Sequence, residues 1–200
     1  MTDSVTPSMD ALRRALAEYE PQVPVPFPSA LRPAAVMVPL YLKGGVWHLL
    51  LCRRSDRVAE HAGEVAFPGG RPEKGDADLL QCALREAQEE VGIRPEDAVV
   101  IGPLDPVTTR TNYLVWPTVV SLPDAYPFVP NPQEVGELLE VPVASLLYEA
   151  CVRHEAFLQS DGSLVERRTY TAGHHLVFGA TALILAQLLH FFTVPQEAPS

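Results

Sequence analysis

Apolar and polar positions change period several times along this chain, and each change marks an element. Residues 34–42 and 46–53 are dense in β-branched and apolar side chains. They flank Lys43-Gly44-Gly45, which predicts an antiparallel hairpin. Residues 98–102, 113–122, 134–141 and 164–171 read as further strands, the last entered through a turn at Asp161-Gly162. Pro117 confines the 113–122 strand to an edge or a bulge, because proline gives no ladder hydrogen bond. Helical spacing recurs at residues 8–20, with Leu12, Leu16 and Tyr19 on one side, and again at 80–91, 143–151 and 179–192. The proline-rich tract 21–28 cannot be helical and reads as an extended strap. Mixed strands and helices with a hairpin imply an α+β or mixed-sheet α/β domain over residues 34–194. A helix and a proline-rich arm over residues 1–33 precede it.

The 80–91 helix carries the most pointed pattern. Counting about 100° per residue from Leu80, Ala83, Leu84, Ala87 and Val91 fall within roughly 60° of it. Glu89, Glu86 and Glu90 fall at about 180°, 240° and 280° on the same count. One stripe faces a core, and three carboxylates share an arc beside it. Like charges one turn apart destabilise a helix, so Glu86 and Glu90 call for a cation. Arginine is one source, since Arg85–Glu89 and Glu90–Arg94 are both i,i+4 pairs. A hard divalent metal, which prefers clustered carboxylate oxygens, is the other. A glutamate-rich helix face is otherwise ordinarily solvated. Gly92-Ile93 reads as the helix C-cap.

Composition narrows the chemistry. A hydrophobic fraction of 47% with 20% charged residues over 200 residues is enough for one sizeable core. A net charge of −10 argues against a nucleic-acid groove, which needs a basic face. An anionic substrate would therefore depend on a metal and a few local arginines. Cys52, Cys82 and Cys151 have no metal-ligand spacing and read as reduced thiols in the cytoplasm. The N-terminus does not read as a secretory signal. The apolar run 177–194 is interrupted by Thr181, Gln187 and His190, so a buried helix is expected there rather than a membrane span.

Gly70, followed by Arg85-Glu86-Ala87-x-Glu89-Glu90-x-Gly92-Ile93, resembles the Nudix box, G-x5-E-x7-R-E-U-x-E-E-x-G-U with U apolar. Five fixed residue types recur by chance about once in a million positions. The head of the box departs from the pattern. The acid five residues past Gly70 is Asp76, and read backwards from Arg85 the expected Glu is Ala77. A second stretch, Leu50-Leu51-Cys52-Arg53-Arg54-Ser55 with Gly63-x3-Phe67-Pro68-Gly69-Gly70, resembles the extra motif of the coenzyme A pyrophosphatase branch. It departs at Cys52, where Thr is usual, and at Ala59, where Arg is usual. Phe178-Gly179-Ala180-Thr181-Ala182 is similar to that branch's W-G-A-T-A segment.

The resemblance implies a Nudix α/β/α sandwich with a mixed sheet, using Mg²⁺ or Mn²⁺. It implies hydrolysis of coenzyme A, or its acyl or oxidised forms, to 4′-phosphopantetheine and adenosine 3′,5′-bisphosphate. Glu86 and Glu90, with Glu89, are the expected metal ligands. Glu89 and a downstream acid, Glu134 or Glu137, are the candidate general bases. Arg85 is expected to orient Glu89 or a loop carbonyl. Arg54, Arg57, Gly69, Gly70 and Arg110 are expected at the substrate, because guanidinium forks match phosphates. His61, His174 and His175 read as surface or hydrogen-bonded residues. Alternatives are a pyrophosphatase acting on ADP-ribose, NADH or another nucleoside diphosphate derivative, and a non-catalytic nucleotide-binding module. The expected partner is a small molecule, with no nucleic acid and no membrane; a homodimer is compatible with the family.

Overall fold

The hairpin around Lys43-Gly44-Gly45 is the centre of a computed structural model that describes residues 7–23, 30–58, 61–158 and 162–193. The chain opens with α1 (Met9–Ala17), β1 (Arg32–Lys43), β2 (Val46–Arg54), β3 (Val65–Ala66) and β4 (Gly69–Gly70). It continues with α2 (Leu79–Val91), β5 (Val99–Pro103), β6 (Val107–Thr108), β7 (Tyr113–Ser121) and β8 (Val135–Pro142). It closes with α3 (Val143–Leu146), β9 (Val152–Leu158), β10 (Leu164–Ala172), β11 (His175–Val177) and α4 (Gly179–Thr193). The strap expected over residues 21–28 lies mostly outside the described residues, as do Ala59, Asp161 and Val194.

β1 and β2 pair antiparallel, Leu40 opposite Leu49 and Lys43 opposite Val46. β7 pairs with β1 in parallel, Arg32 opposite Tyr113, which makes the sheet mixed. β5 and β6 continue it beyond β7, while β3 and β8 both pair with β2 and β4 pairs with β1. β9, β10 and β11 form a second, antiparallel sheet. Of these, β9 and β11 are strands that hydrophobic periodicity does not announce, because they gain their pairing from β10 rather than from a strong pattern of their own.

Alternation along the central strands sorts the core into two layers. Ala35, Met37, Tyr41, Leu50 and Cys52 face α2, meeting Ala83, Leu84, Ala87 and Val91. Ala34, Val38, Leu40, Leu49 and Leu51 face the other way, toward α1, α4 and the small sheet. The result is the expected α/β/α sandwich. Pro117 is not on an edge, as its residue type alone suggests. It sits opposite Val36 of β1, between the parts of β7 that pair with β5 and with β6. That gap tolerates a residue without an N–H, and the Pro117 carbonyl accepts from Leu104 N at 3.0 Å.

The N-terminal helix is part of the packing. Ser8 caps α1, its Oγ accepting from Ala11 N at 3.2 Å. Leu12 and Leu16 are fully buried in the layer that holds α4. A side chain at Gly102 of β5 would come within 2.7 Å of the Leu16 carbonyl oxygen, so helix and strand approach as closely as glycine permits.

Leu16→Ala is expected to lower unfolding free energy by about 2–5 kcal/mol, the cost of an unfilled core position. Urea denaturation checks this; a loss below about 0.5 kcal/mol, the level of a surface change, would mean that α1 is peripheral to the domain.

Candidate active site

The box helix is built to stop where it does. The Asp78 side chain accepts from Gln81 N at 2.8 Å and caps the N-terminus of α2. At the other end Gly92 adopts φ 72, Gly92 N–H reaches Gln88 O, and Ile93 N–H reaches Ala87 O. This is the paired C-terminal closure that a glycine allows. The predicted apolar stripe is the buried one. The three glutamates beside it are graded by their angle from that stripe. The side chains of Glu90, Glu86 and Glu89 are 6%, 15% and 53% exposed respectively.

Buried carboxylates need partners, and the Gly69-Gly70 turn supplies room and one donor. Gly69 N–H donates to Glu90 Oε2 at 3.0 Å. Gly69 itself has φ 154, and a side chain there would meet the Ala35 carbonyl oxygen at 2.3 Å. At Gly70 a Cβ would lie 2.4 Å from the Glu86 carboxyl carbon. The two glycines therefore let the strand β4 lie directly against both carboxylates.

Arg85 gathers the rest of the box. Its Nε and Nη2 each lie 3.1 Å from an oxygen of Asp76, a bidentate pair. Its Nη1 lies 3.0 Å from Glu86 Oε1 and 3.1 Å from Glu89 Oε2, and Nη2 also donates to the Arg71 carbonyl. Asp76 is held below the usual carboxylate range by the Arg85 hydrogen bonds first, then by the Glu73 amide. The displaced box head thus keeps an acid in contact with the arginine, although its spacing is off by one. The second expected i,i+4 pair does not form: Arg94 instead binds Asp97 at 2.7 Å, because α2 has already ended at Val91.

The two downstream acids are placed on different sides of the sheet. Asn131 N–H donates to Glu90 O at 2.8 Å, and Asn131 Nδ2 donates to Glu134 Oε1 at 3.1 Å. Residues 129–135 thereby close over the C-terminus of α2 and bring Glu134 to the box. Glu137 lies opposite Arg53 in the β2–β8 register, before the bulge that leads to the Arg54–Val135 pair. Val135 packs on the α2 side, so Glu137 faces the opposite layer, where it meets His175 Nε2 at 3.0 Å. Glu137 is not brought together with Glu86 and Glu90. A one-residue difference in strand register decides this, and sequence spacing does not reveal a bulge.

Alternation likewise separates the arginines. Arg54 Nη1 is 3.8 Å from Glu90 Oε1, and its buried Nε has no hydrogen-bond partner among the described residues. Arg53 points away to Asp56, at 2.7 Å. Arg57 is exposed, with its amide on Ser55 Oγ. Arg110 is exposed on the turn between β6 and β7. His61 and His175 are paired with Glu64 and Glu137, in keeping with their reading as hydrogen-bonded residues, and His174 is exposed.

Electrostatics mark Glu90 as the strained member. Burial, above all, pushes its carboxyl up to about 7, against the Gly69 hydrogen bond and Arg54, and Glu86 and Glu134 raise it further. Burial also raises Glu86, with Glu89 and Glu134 adding to the effect. Negative charge is thus gathered beyond what the protein's own cations neutralise. Among the described residues no three Asp, Glu, His or Cys side chains are grouped so that they could hold a metal ion. Two carboxylates with a third nearby fit Mg²⁺ or Mn²⁺ in their open mode, in which waters and substrate oxygens complete the shell.

Comparisons with known proteins bear on the family and the fold. The family model described as "NUDIX domain" matches residues 31–160. The uncharacterized Nudix hydrolase NudL of Yersinia enterocolitica is 35% identical over 189 residues, covering 92% of this chain and 94% of its own length. NudL of Pectobacterium atrosepticum is 37% identical over 186 residues, covering 87% and 93%. A MutT/nudix family protein from Enterococcus faecalis shares the fold, with a TM-score of 0.51 at 15% identity over 92% of this chain and 69% of that one. The chain belongs to the Nudix hydrolase family. It is a pyrophosphatase that hydrolyses the diphosphate linkage of a nucleoside diphosphate derivative. No helix among the described residues is long and apolar enough to cross a membrane.

Glu90 gives the metal-free protein a pH signature. Its folded-state value of about 7 lies above the ordinary carboxylate value of 4.5. Between those two pH values the folded state binds more protons than the unfolded one, so stability falls as pH rises. Above pH 7 the full penalty remains, on the order of 3 kcal/mol for a shift from 4.5 to about 7. In EDTA, Glu90→Gln is expected to be more stable than the parent at pH 8 and to lose that advantage by pH 5. Denaturant midpoints across this range check it; equal pH dependence in both proteins would refute it.

Proposed function

We propose that this protein is a divalent-metal-dependent pyrophosphatase whose substrate is coenzyme A or one of its acyl or oxidised forms. Its products would be 4′-phosphopantetheine and adenosine 3′,5′-bisphosphate. The observation that carries the catalytic reading is the packing of Glu86 and Glu90 against Gly69-Gly70, with Glu134 beside them. The coenzyme A reading rests on the resemblance of residues 50–55 and 63–70 to that branch's motif. It is supported by the Arg54 guanidinium standing next to Glu90 with its Nε unpaired among the described residues.

In this reading Glu86 and Glu90 hold Mg²⁺ or Mn²⁺, with Glu89 as a further candidate ligand. When bound, the metal neutralises diphosphate charge and makes water more acidic. Arg54 grips a phosphate oxygen. Gly69 and Gly70 let the substrate approach the helix, and Arg57 and Arg110 reach its outer parts. Arg85 fixes the box by holding Asp76, Glu86 and Glu89 in one array. The proton of the attacking water passes to a carboxylate oxygen. Glu134 is our choice of acceptor, because it shares the α2 side with Glu86 and Glu90, while Glu137 is engaged with His175 on the other. Glu89 is the second candidate.

Products from coenzyme A, ADP-ribose and NADH, each with Mg²⁺, Mn²⁺ or EDTA, test the reading. Adenosine 3′,5′-bisphosphate is expected from coenzyme A and only with metal. AMP from ADP-ribose or NADH with coenzyme A untouched would discard the substrate assignment. Glu134→Gln is expected to cut kcat by about 10²–10⁴-fold, the usual contribution of a general base. Glu137→Gln is expected to leave kcat within about threefold, the scale of an ordinary surface change. The reverse order would return the role to Glu137.

A further inference from the structure

Just past the box glycines, two guanidinium groups converge on one tyrosine. Tyr113, the first residue of β7, lies opposite Arg32 at the start of β1. The Arg32 guanidinium sits over the Tyr113 ring, 4.2 Å from its centroid. Arg71 Nη1 reaches the Tyr113 hydroxyl from the β4 side at 3.4 Å. Neither arginine has a carboxylate ion pair among the described residues, whereas Arg53, Arg54, Arg85 and Arg94 all do. Two like charges gathered on one ring with no acid paired to either leave a local excess of positive charge on a chain of net charge −10.

The scaffold under them is well tied. Thr109 N–H donates to Tyr113 O at 2.8 Å, and Tyr113 N–H donates to Thr109 Oγ1 at 3.0 Å. Arg32 N–H donates to Asn112 O, and Arg32 Nη2 donates to Thr111 O. The group is also coupled to the box. Arg71 directly follows Gly70, and its carbonyl accepts from Arg85 Nη2 at 3.1 Å. A molecule whose diphosphate lies at Glu86 and Gly70 therefore has this pair of guanidinium groups within its own length.

We propose that Arg32, Arg71 and Tyr113 form a subsite for a phosphate monoester that the substrate carries apart from its scissile diphosphate. Two guanidinium forks can share the oxygens of a dianionic phosphate, which supplies the negative charge the protein does not. The tyrosine hydroxyl, already within reach of Arg71, adds one more polar contact. This deepens the functional reading above and rests on it for the identity of the substrate. It predicts a preference for nucleotides bearing a second phosphate over those that lack it.

Calorimetric binding in metal-free buffer tests the subsite without turnover, comparing adenosine 3′,5′-bisphosphate, AMP and inorganic phosphate. The parent is expected to favour the bisphosphate over AMP by on the order of ten- to a hundredfold, the range of charge-assisted hydrogen bonds. The double variant Arg32→Gln/Arg71→Gln is expected to lose that preference while keeping its melting temperature. Equal affinity for both nucleotides in the parent, or an undiminished preference in the folded variant, would overturn the proposal. Inorganic phosphate binding as tightly as the bisphosphate would overturn it too, since the site would then serve free phosphate. Hydrolysis of coenzyme A and 3′-dephospho-coenzyme A is read separately: no turnover of either sinks the functional reading, while the binding comparison still decides the subsite.

Discussion

Burying the Glu90 carboxylate is the constraint on which the site depends. A half-turn of rotation on α2 would have placed it in water, where it would cost nothing and attract nothing. Instead its side chain is buried beside Val91, with Glu86 one turn away and Glu134 folded over from the loop after β7. Such an arrangement is tolerated because other groups offset it: the Gly69 amide, the Arg54 guanidinium and the rigid core under the apolar stripe. What remains uncompensated is negative charge, which in the proposed reading draws a divalent cation. Stability is given up where binding is needed, as is common at functional sites.

The sheet then decides which residues can take part. Because successive residues point to opposite faces, Arg54 meets the box while Arg53 meets Asp56. The bulge between them similarly separates Val135 from Glu137. β4 is only two residues long, yet it carries the chain from the carboxylates at Gly70 to Arg71, and so past the strand toward Tyr113. A substrate following that path would meet carboxylates first and then guanidinium groups that have no carboxylate ion pair among the described residues. Charge thus changes sign over a short distance, in an order suited to a metal-bridged diphosphate with a further anionic group.

Much of this was legible before any coordinates. The apolar stripe of α2, its glycine stop and the shared arc of Glu86, Glu89 and Glu90 follow from helical period alone. The grading of those glutamates by burial follows from the same angles. The hairpin, the strand at β10 and the closing helix are equally plain, since each has a strong local pattern. What periodicity could not supply is long-range: the parallel match of β1 with β7, the pairing of β9 and β11 with β10, and the bulge that turns Glu137 away. Asp76 shows the limit from the other side. Its spacing departs from the box, but loop geometry returns it to Arg85. The Arg32–Tyr113–Arg71 group was not legible either, because its members are far apart in sequence and belong to no shared motif.

The most direct test of the account is to fill the space at Gly70. A Cβ there would displace the flexible end of Glu86 rather than backbone, so the fold should survive. Gly70→Ala should therefore keep a melting temperature close to that of the parent while losing Mn²⁺ binding and metal-dependent diphosphate hydrolysis together. A folded Gly70→Ala protein that binds Mn²⁺ and turns over substrate as well as the parent would show that the Glu86 carboxylate, as placed here, is not where the metal acts.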